Sequence, residues 1–359
     1  MILAYFYYSY YLNNIHQRYI FNTVKIIFMI QSSSKHSEGV ELMDNEPQFI
    51  QIDFPGFNVV LCSFGASIYS IKVNDHDMIV SFKDKDNWLI DNGYHGKTVG
   101  RVAGRIPYGS INVKDKIYHL DTNEREHTLH GGYKGLSFQN FNANVTQYND
   151  YSEVIFEYHS PNMECGFPGN VDFQIIYKVY KDKYIEIFHN AKTDEITPIS
   201  LTQHLYFNLG ENNLDNIFMK LKANKRFLLN DDLLKQSLVD VKNTSYDFNK
   251  GKLVMEDAFK KDVKGPRKNG FDDIWYLGKT NKNKICAMLS SPRYKAEFYT
   301  DYDASVIYMD GYPSHEQLLS GIREEIYGAI TMELTNKDVV YVTPEKPYNK
   351  YTKIVFKEL

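Results

Sequence analysis

From residue 48 onward the chain is written in short runs of β-branched and aromatic residues, each closed by a turn former. QFIQIDF (48–54), NVVLCSF (58–64) and SIYSIKV (67–73) are separated by Pro55-Gly56 and Gly65. The same texture recurs in KIYHL (116–120), EVIFEYH (153–159), VDFQIIYKVY (171–180), YIEIFHNA (184–191), SLTQHLYFNL (200–209) and FMKLKA (218–223). It continues in KICAMLS (284–290), YKAEFYT (294–300), SVIYMDG (305–311), AITMEL (329–334) and TKIVFKE (352–358). Such side chains suit a pleated surface, and few stretches between them carry a 3.6-residue period. A chain of this kind is confined to antiparallel, all-β architecture. No linker or fixed-period repeat interrupts it, so residues 38–359 are expected to form one large β-sandwich domain.

The first 30 residues do not share the pattern. They are apolar and Tyr-rich, but Asn13, Asn14, His16, Gln17 and Arg18 interrupt them. No run approaches the ~20 apolar residues of a membrane span. No charged side chain precedes the apolar stretch, as a secretory signal would require. Residues 1–37 are therefore expected to be an extension outside the fold, and Met29 offers an internal start.

Charge narrows the partners. With 41 basic and 45 acidic residues the net charge is −4, which gives no general attraction for nucleic acid or an anionic membrane. One basic cluster, Lys260, Lys261, Lys264, Arg267 and Lys268, reads as a solvated loop. Cys62, Cys165 and Cys286 are odd in number and scattered, so neither a disulfide framework nor a Cys-rich zinc site is expected. A reducing, cytoplasmic setting fits such a set.

Several catalytic signatures are absent: the phosphate-binding G-x-x-x-x-G-K-[ST], G-x-G-x-x-G after a strand, H-E-x-x-H and the G-x-S-x-G elbow. What remains is polar residues in strand or glycine settings. In GRVAGRI (100–106), Arg105 follows a glycine, and its forked guanidinium can grip paired hydroxyls or a carboxylate. A purely structural partnership with an acid is the plainer role for such an arginine. In TLHGGYKG (128–135), His130 precedes two glycines that let the backbone turn and present the ring to a cleft. His127 and His130 lack a nearby carboxylate or Cys to complete a ligand set, so no metal is expected.

LTQHLYFNLG (201–210) alternates. Leu201, Gln203, Leu205, Phe207 and Leu209 fall on one side of an extended chain, and Thr202, His204, Tyr206 and Asn208 on the other. The polar side centres on His204. In NGFDDIWYLG (269–278), Asp272 and Asp273 open a strand-like segment, where capping is the default role. In GAITMELTN (328–336), Glu333 ends a small, apolar run, where a carboxylate is costly unless partnered and is a candidate base.

Taken together, GRVAGRI, LHGG, TQHLYFNLG, GFDD and AITMEL resemble, in this order over roughly residues 40–359, the motifs of the aldose 1-epimerase (mutarotase) family. The resemblance implies a β-supersandwich of the galactose mutarotase type. It implies an isomerase that interconverts the α and β anomers of free aldoses, typically galactose or glucose, with no cofactor or metal and as a monomer or homodimer. By position, Glu333 matches the family's general base and His204 its general acid. Arg105, His130 and Asp272 match residues that bind sugar hydroxyls.

There are departures from the pattern. Gly104 stands where many relatives carry Asn, Asp273 where His or Asn is usual, and Val306 and Thr335 where Gln is common. Gly104 and Val306 each remove a side-chain contact to the sugar, while the acid and base remain. The family chemistry implies Glu333 taking the proton of O1 while His204 protonates the ring oxygen O5, from opposite sides of the ring. The alternatives are a hexose-phosphate epimerase of the same superfamily, supported only by the basic loop, and a catalytically silent sugar-binding protein.

Overall fold

The computed structural model describes residues 40–42, 46–263 and 270–359. The expected extension 1–37 lies outside these residues, as do Lys264, Arg267 and Lys268 of the basic loop. No helix among the described residues is long and apolar enough to cross a membrane.

The architecture is antiparallel and built almost wholly of strands, as expected. Its largest sheet has ten strands in the order Val40–Leu42, Asn142–Gln147, Tyr151–Ser160, Val171–Tyr180, Tyr184–Thr193, Tyr348–Glu358, Tyr294–Thr300, Ala287–Ser290, Phe218–Leu221, Lys252–Leu253. A five-stranded sheet runs Lys235–Asp240, Lys225–Leu229, Asp272–Tyr276, Ala304–Tyr308, Glu333–Thr335. A four-stranded sheet begins with the hairpin Phe49–Phe54, Phe57–Cys62 and goes on through Ser67–Val73.

Alternation explains how the large sheet holds its core. Along Val171–Tyr180, Val171, Phe173, Ile175, Tyr177 and Val179 are buried, while the intervening residues are not. The neighbouring strand does the same with Ile185, Ile187 and Ala191, and the register puts Tyr177 opposite Ile187. One face of the sheet is therefore apolar and packs on Ile68, Leu201, Phe207 and Ile330 of the opposing layers in one continuous core.

The segment 200–209 differs from the single two-faced strand that alternation suggests. It splits into Thr202–Gln203, paired with Thr98–Val99, and Tyr206–Phe207, paired with Ile330–Thr331. Both of its sides are buried. Gln203 does not sit among apolar groups only. Its Oε1 accepts from Thr98 Oγ1 (3.0 Å) and Tyr177 Oη (2.7 Å), and its Nε2 donates to Gly96 O (2.6 Å). An amide hydrogen-bonded at both its oxygen and its nitrogen can occupy a core position with little of the usual penalty. The strands Asn142–Gln147 and Lys235–Asp240 are too polar to stand out in the sequence, and pairing with neighbours makes them extended.

Candidate active site

The motifs converge because their backbones interlock. Gly131, at φ +90°, lies so close to Gly100 that a Cβ there would meet Gly100 O at 2.0 Å. Glycine is required, and it clamps the LHGG turn onto the GRVAGRI segment. Arg105–Ile106 then pairs with Thr128–Leu129. Next in the chain, His130 itself adopts φ 53°, and its Nδ1 accepts from Gly104 N–H at 3.2 Å. That bond leaves Nε2 as the protonated, donating nitrogen of a neutral ring. Burial also drives His130 well below the ordinary imidazole range.

The two arginines of GRVAGRI have different fates. Arg101 is buried and satisfies the carbonyls of Ser160, Pro161, Pro168 and Gly169. Arg105 reaches the cleft, where Glu124 takes its Nε (2.6 Å) and one terminal nitrogen (2.8 Å). The structural partnership considered for Arg105 therefore exists alongside its place in the cleft, and it occupies part of the fork. Nothing in the sequence around Glu124 marked it as that partner.

His204 is fixed through its main chain: its N–H donates to Lys97 O (3.0 Å) and its carbonyl accepts from Gly96 N–H (2.8 Å). Glu333 opens the edge strand Glu333–Thr335, opposite Val306. Asp272 starts the strand on the far side of Ala304–Tyr308, opposite Tyr308. These placements bring Glu333 Oε1 to 3.3 Å from His204 Nε2, with both residues buried. His130 crosses His204 edge-on at 5.5 Å between ring centroids. All five residues matched by motif, Glu333, His204, Arg105, His130 and Asp272, line one cleft of about 2130 Å³.

The separation corrects one expectation. Glu333 and His204 do not face each other across a sugar-sized gap; they stand side by side. O1 and O5 of an aldose are bonded to the same carbon, so an adjacent pair suits them better than an opposed one.

Electrostatics set the protons. Burial, then the nearby Asp272 carboxylate, raises the Glu333 carboxyl to about 8, against the pull of Arg105. Burial, then the charge on His95, holds the His204 imidazole well below its ordinary value. An imidazolium needs an acceptor at both nitrogens, and His204 Nδ1 is buried with no hydrogen-bond partner among the described residues. The resting pair is thus a carboxyl beside a neutral imidazole. Asp272 is also raised by burial and lowered by Arg105.

The departures from the motif pattern have visible consequences. A Cβ on Gly104 would find nothing within 4 Å. Asp273 pairs with Arg226 (3.0 Å), whose guanidinium lies 3.6 Å over the Tyr246 ring. Thr335 Oγ1 contacts Ser200 Oγ at 3.2 Å. His127 does not join His130: its Nδ1 accepts from Tyr108 N–H (3.0 Å). Two groups bring three ligand-type atoms within 4.8 Å of one another, namely His130 with His204 and Glu333, and His95 with Asp310 and Glu324. Tyr94, whose ring lies 4.8 Å from His130 and 5.9 Å from His204, also lines the cleft and carried no signal in the sequence.

An antiparallel sandwich whose open cleft buries an adjacent carboxyl and imidazole is the frame of a proton-transfer enzyme for a small polar substrate. The aldose 1-epimerase family profile matches residues 48–340. An aldose 1-epimerase of Haemophilus influenzae is 30% identical over 289 residues, 77% of this chain and 83% of that protein. A maltose epimerase of Levilactobacillus brevis is 26% identical, covering 62% of this chain and 68% of its own length. The galactose 1-epimerase structure from Lactobacillus acidophilus superposes with a TM-score of 0.80 at 23% identity, over 91% of this chain and 99% of that one. The chain belongs to the aldose 1-epimerase family, whose members are isomerases.

Proposed function

We propose that this protein interconverts the α and β anomers of free aldoses, galactose or glucose, with Glu333 and His204 as the proton-transfer pair. The observation that carries this reading is the 3.3 Å contact between Glu333 Oε1 and His204 Nε2 inside the cleft. A pair so close holds one proton between its two members. Moving it from Glu333 to His204 converts the resting form into carboxylate and imidazolium without exchange with solvent. In ring opening the carboxylate takes the O1 proton and the imidazolium gives its proton to O5. The C1–O5 bond breaks and C1=O1 forms. The pair returns to carboxyl and neutral imidazole, so the resting state is also the one beside the open-chain aldehyde. Rotation about C1–C2 and the reverse transfers close the other anomer. Each transfer contributes about 10²–10⁴-fold.

His130 Nε2–H serves as a hydroxyl donor, Asp272 as an acceptor, and the remaining terminal nitrogen of Arg105 as a second donor. The cleft exceeds the roughly 300–1,000 Å³ of an ordinary small-ligand site. That extra room, with the maltose epimerase relative, puts maltose on the substrate panel. Three free, buried thiols suit a cytoplasmic setting.

The test is polarimetry on freshly dissolved α-galactose, glucose, xylose, arabinose and maltose, with glucose 6-phosphate as a comparison. Acceleration over buffer is expected for the free sugars. No acceleration for any of them, with calorimetric binding intact, establishes a silent binding protein instead. Preference for the phosphate transfers the reading to a hexose-phosphate epimerase.

A further inference from the structure

A second buried cluster stands behind the proton-transfer pair, and the mechanism above does not use it. His95 is 3% exposed, and carboxylates approach both of its ring nitrogens. Asp91 Oδ2 lies 2.8 Å from Nδ1, and Glu324 Oε1 lies 3.0 Å from Nε2. Both acids are themselves anchored. Asp91 accepts from the backbone N–H of Gly93 (2.9 Å) and His95 (3.0 Å). Glu324 Oε2 accepts from the Ser314 N–H (2.7 Å) and hydroxyl (2.5 Å). A carboxylate beside each nitrogen, hydrogen-bonded at Nδ1 and paired by charge at Nε2, favours an imidazolium, and His204 Nδ1 has no such neighbour.

The His95 ring is stacked on Tyr206, with centroids 4.0 Å apart and planes at 18°. Tyr206 lies 5.1 Å from His204, and its hydroxyl donates to Gly93 O at 2.9 Å. His95 also directly precedes Gly96 and Lys97, whose peptide groups hold the His204 backbone. A path of contacts thus joins the cluster to the acid through both side chain and main chain.

We propose that His95 is a positioning residue for the reaction: a fixed imidazolium that seats Tyr206 and His204 and sharpens His204 as an acid. The inference rests on His204 being the acid. At His204 the charge of His95 outweighs the opposing Asp91 and disfavours a second proton, so the proton His204 carries in the reactive form is given up more readily to O5. The clamp also ties the turn around Asp91, which lines the cleft, to the segment around Glu324 behind it.

Lys97, buried, donates its Nζ to Asp91 O at 3.0 Å and adds a positive charge beside the cluster. Facing His95 are Asp91, Glu324 and Asp310, with Tyr206 on its face and Phe82 beyond (4.8 Å). Facing His204 are Glu333, His130, Tyr94 and Tyr206. Burial opposes charge on His95, but Asp91 and Glu324 outweigh it and carry the imidazole to about 10. Burial raises the Asp310 carboxyl to about 6 despite His95. At neutral pH the cluster therefore holds more negative than positive charge.

The test compares His95→Phe, which keeps a flat ring for Tyr206 but removes the charge, with Glu324→Gln, which removes an anion. In His95→Phe, kcat should fall about tenfold or more, the scale of a misplaced catalytic group, with KM for galactose little changed. Both limbs of its pH profile should move to higher pH, because each proton on the Glu333–His204 pair then meets one positive charge fewer. In Glu324→Gln the limbs should move the other way or stay. A loss of kcat in both variants with unmoved limbs overturns the proposal in favour of a packing role. Side-chain NMR of the intact wild-type protein gives a readout free of activity. His95 should remain an imidazolium through pH 8, and His204 should titrate higher in His95→Phe. A neutral His95 at pH 7 overturns the proposal, as does a stoichiometric metal ion found at the cluster by elemental analysis. If the wild type accelerates no sugar, the proposed function fails while the NMR outcome still decides the clamp.

Discussion

Glu333 Oε1 and His204 Nε2 lie 3.3 Å apart, each two residues beyond the antiparallel pair Tyr206–Thr331 that joins their segments. His204 sits between two short bridges, one to Thr98–Val99 and one to Ile330–Thr331. Glu333 begins the edge of the five-stranded sheet. Their adjacency follows the register of that pairing, which sets position 204 opposite position 333, and it makes each residue's effect measurable.

Glu333→Gln and His204→Gln should each slow polarimetric mutarotation of α-galactose by about 10²–10⁴-fold, since each removes one proton-transfer group. Far-ultraviolet circular dichroism should be unchanged. The double variant should be little slower than either single one, because the residues act as a unit. Near-wild-type turnover in either single variant removes that residue from the mechanism.

Stability should carry the mark of the Glu333 carboxyl. Its folded value of about 8 lies above its unfolded value, so the folded state binds more protons between roughly pH 4.5 and 8. Stability from this group is therefore full below that window and is lost as pH rises through it. Glu333→Gln, which cannot ionise, should gain Tm relative to wild type as pH goes from 5 to 8.5. A constant difference across that range contradicts the raised carboxyl.

Arg105 and Glu124 should be energetically coupled. Their fork is partly exposed, 19% and 32% at the side chains, so solvent screening limits the coupling to about 1 kcal/mol. A double-mutant cycle with alanine at each site, read by chemical denaturation, measures it. Arg105→Ala should also raise KM for galactose more than it lowers kcat, as loss of a positioning group does.

Restoring lost amides should improve sugar binding. Position 104 has φ +78° and open space around a built Cβ, and Asn tolerates that backbone better than most residues. Val306 lines the cleft directly across from Glu333. Gly104→Asn with Val306→Gln should lower KM for galactose several-fold, about the worth of one or two hydrogen bonds. An unchanged or higher KM shows that these positions do not face the bound sugar.

Much of this protein is legible one residue at a time. Runs such as VDFQIIYKVY alternate as a half-buried strand must, and the sheet they form follows from pleat geometry alone. The five motif residues could be named from the sequence because glycine, histidine and carboxylate stand in unusual local settings. Other features could not be read this way. Gln203 looks like a core position and is a hydrogen-bonding hub, since only its distant partners Tyr177 and Thr98 reveal it. Glu124, Tyr94 and Glu324 carry no local signature. His95 is one residue in HGKTVG until folding sets Asp91 and Glu324 at its two nitrogens. The side-by-side stance of Glu333 and His204 was equally hidden. Backbone periodicity is a local property that a sequence states outright; charge partners and distances between layers depend on which faces pack together, and only the folded chain decides that.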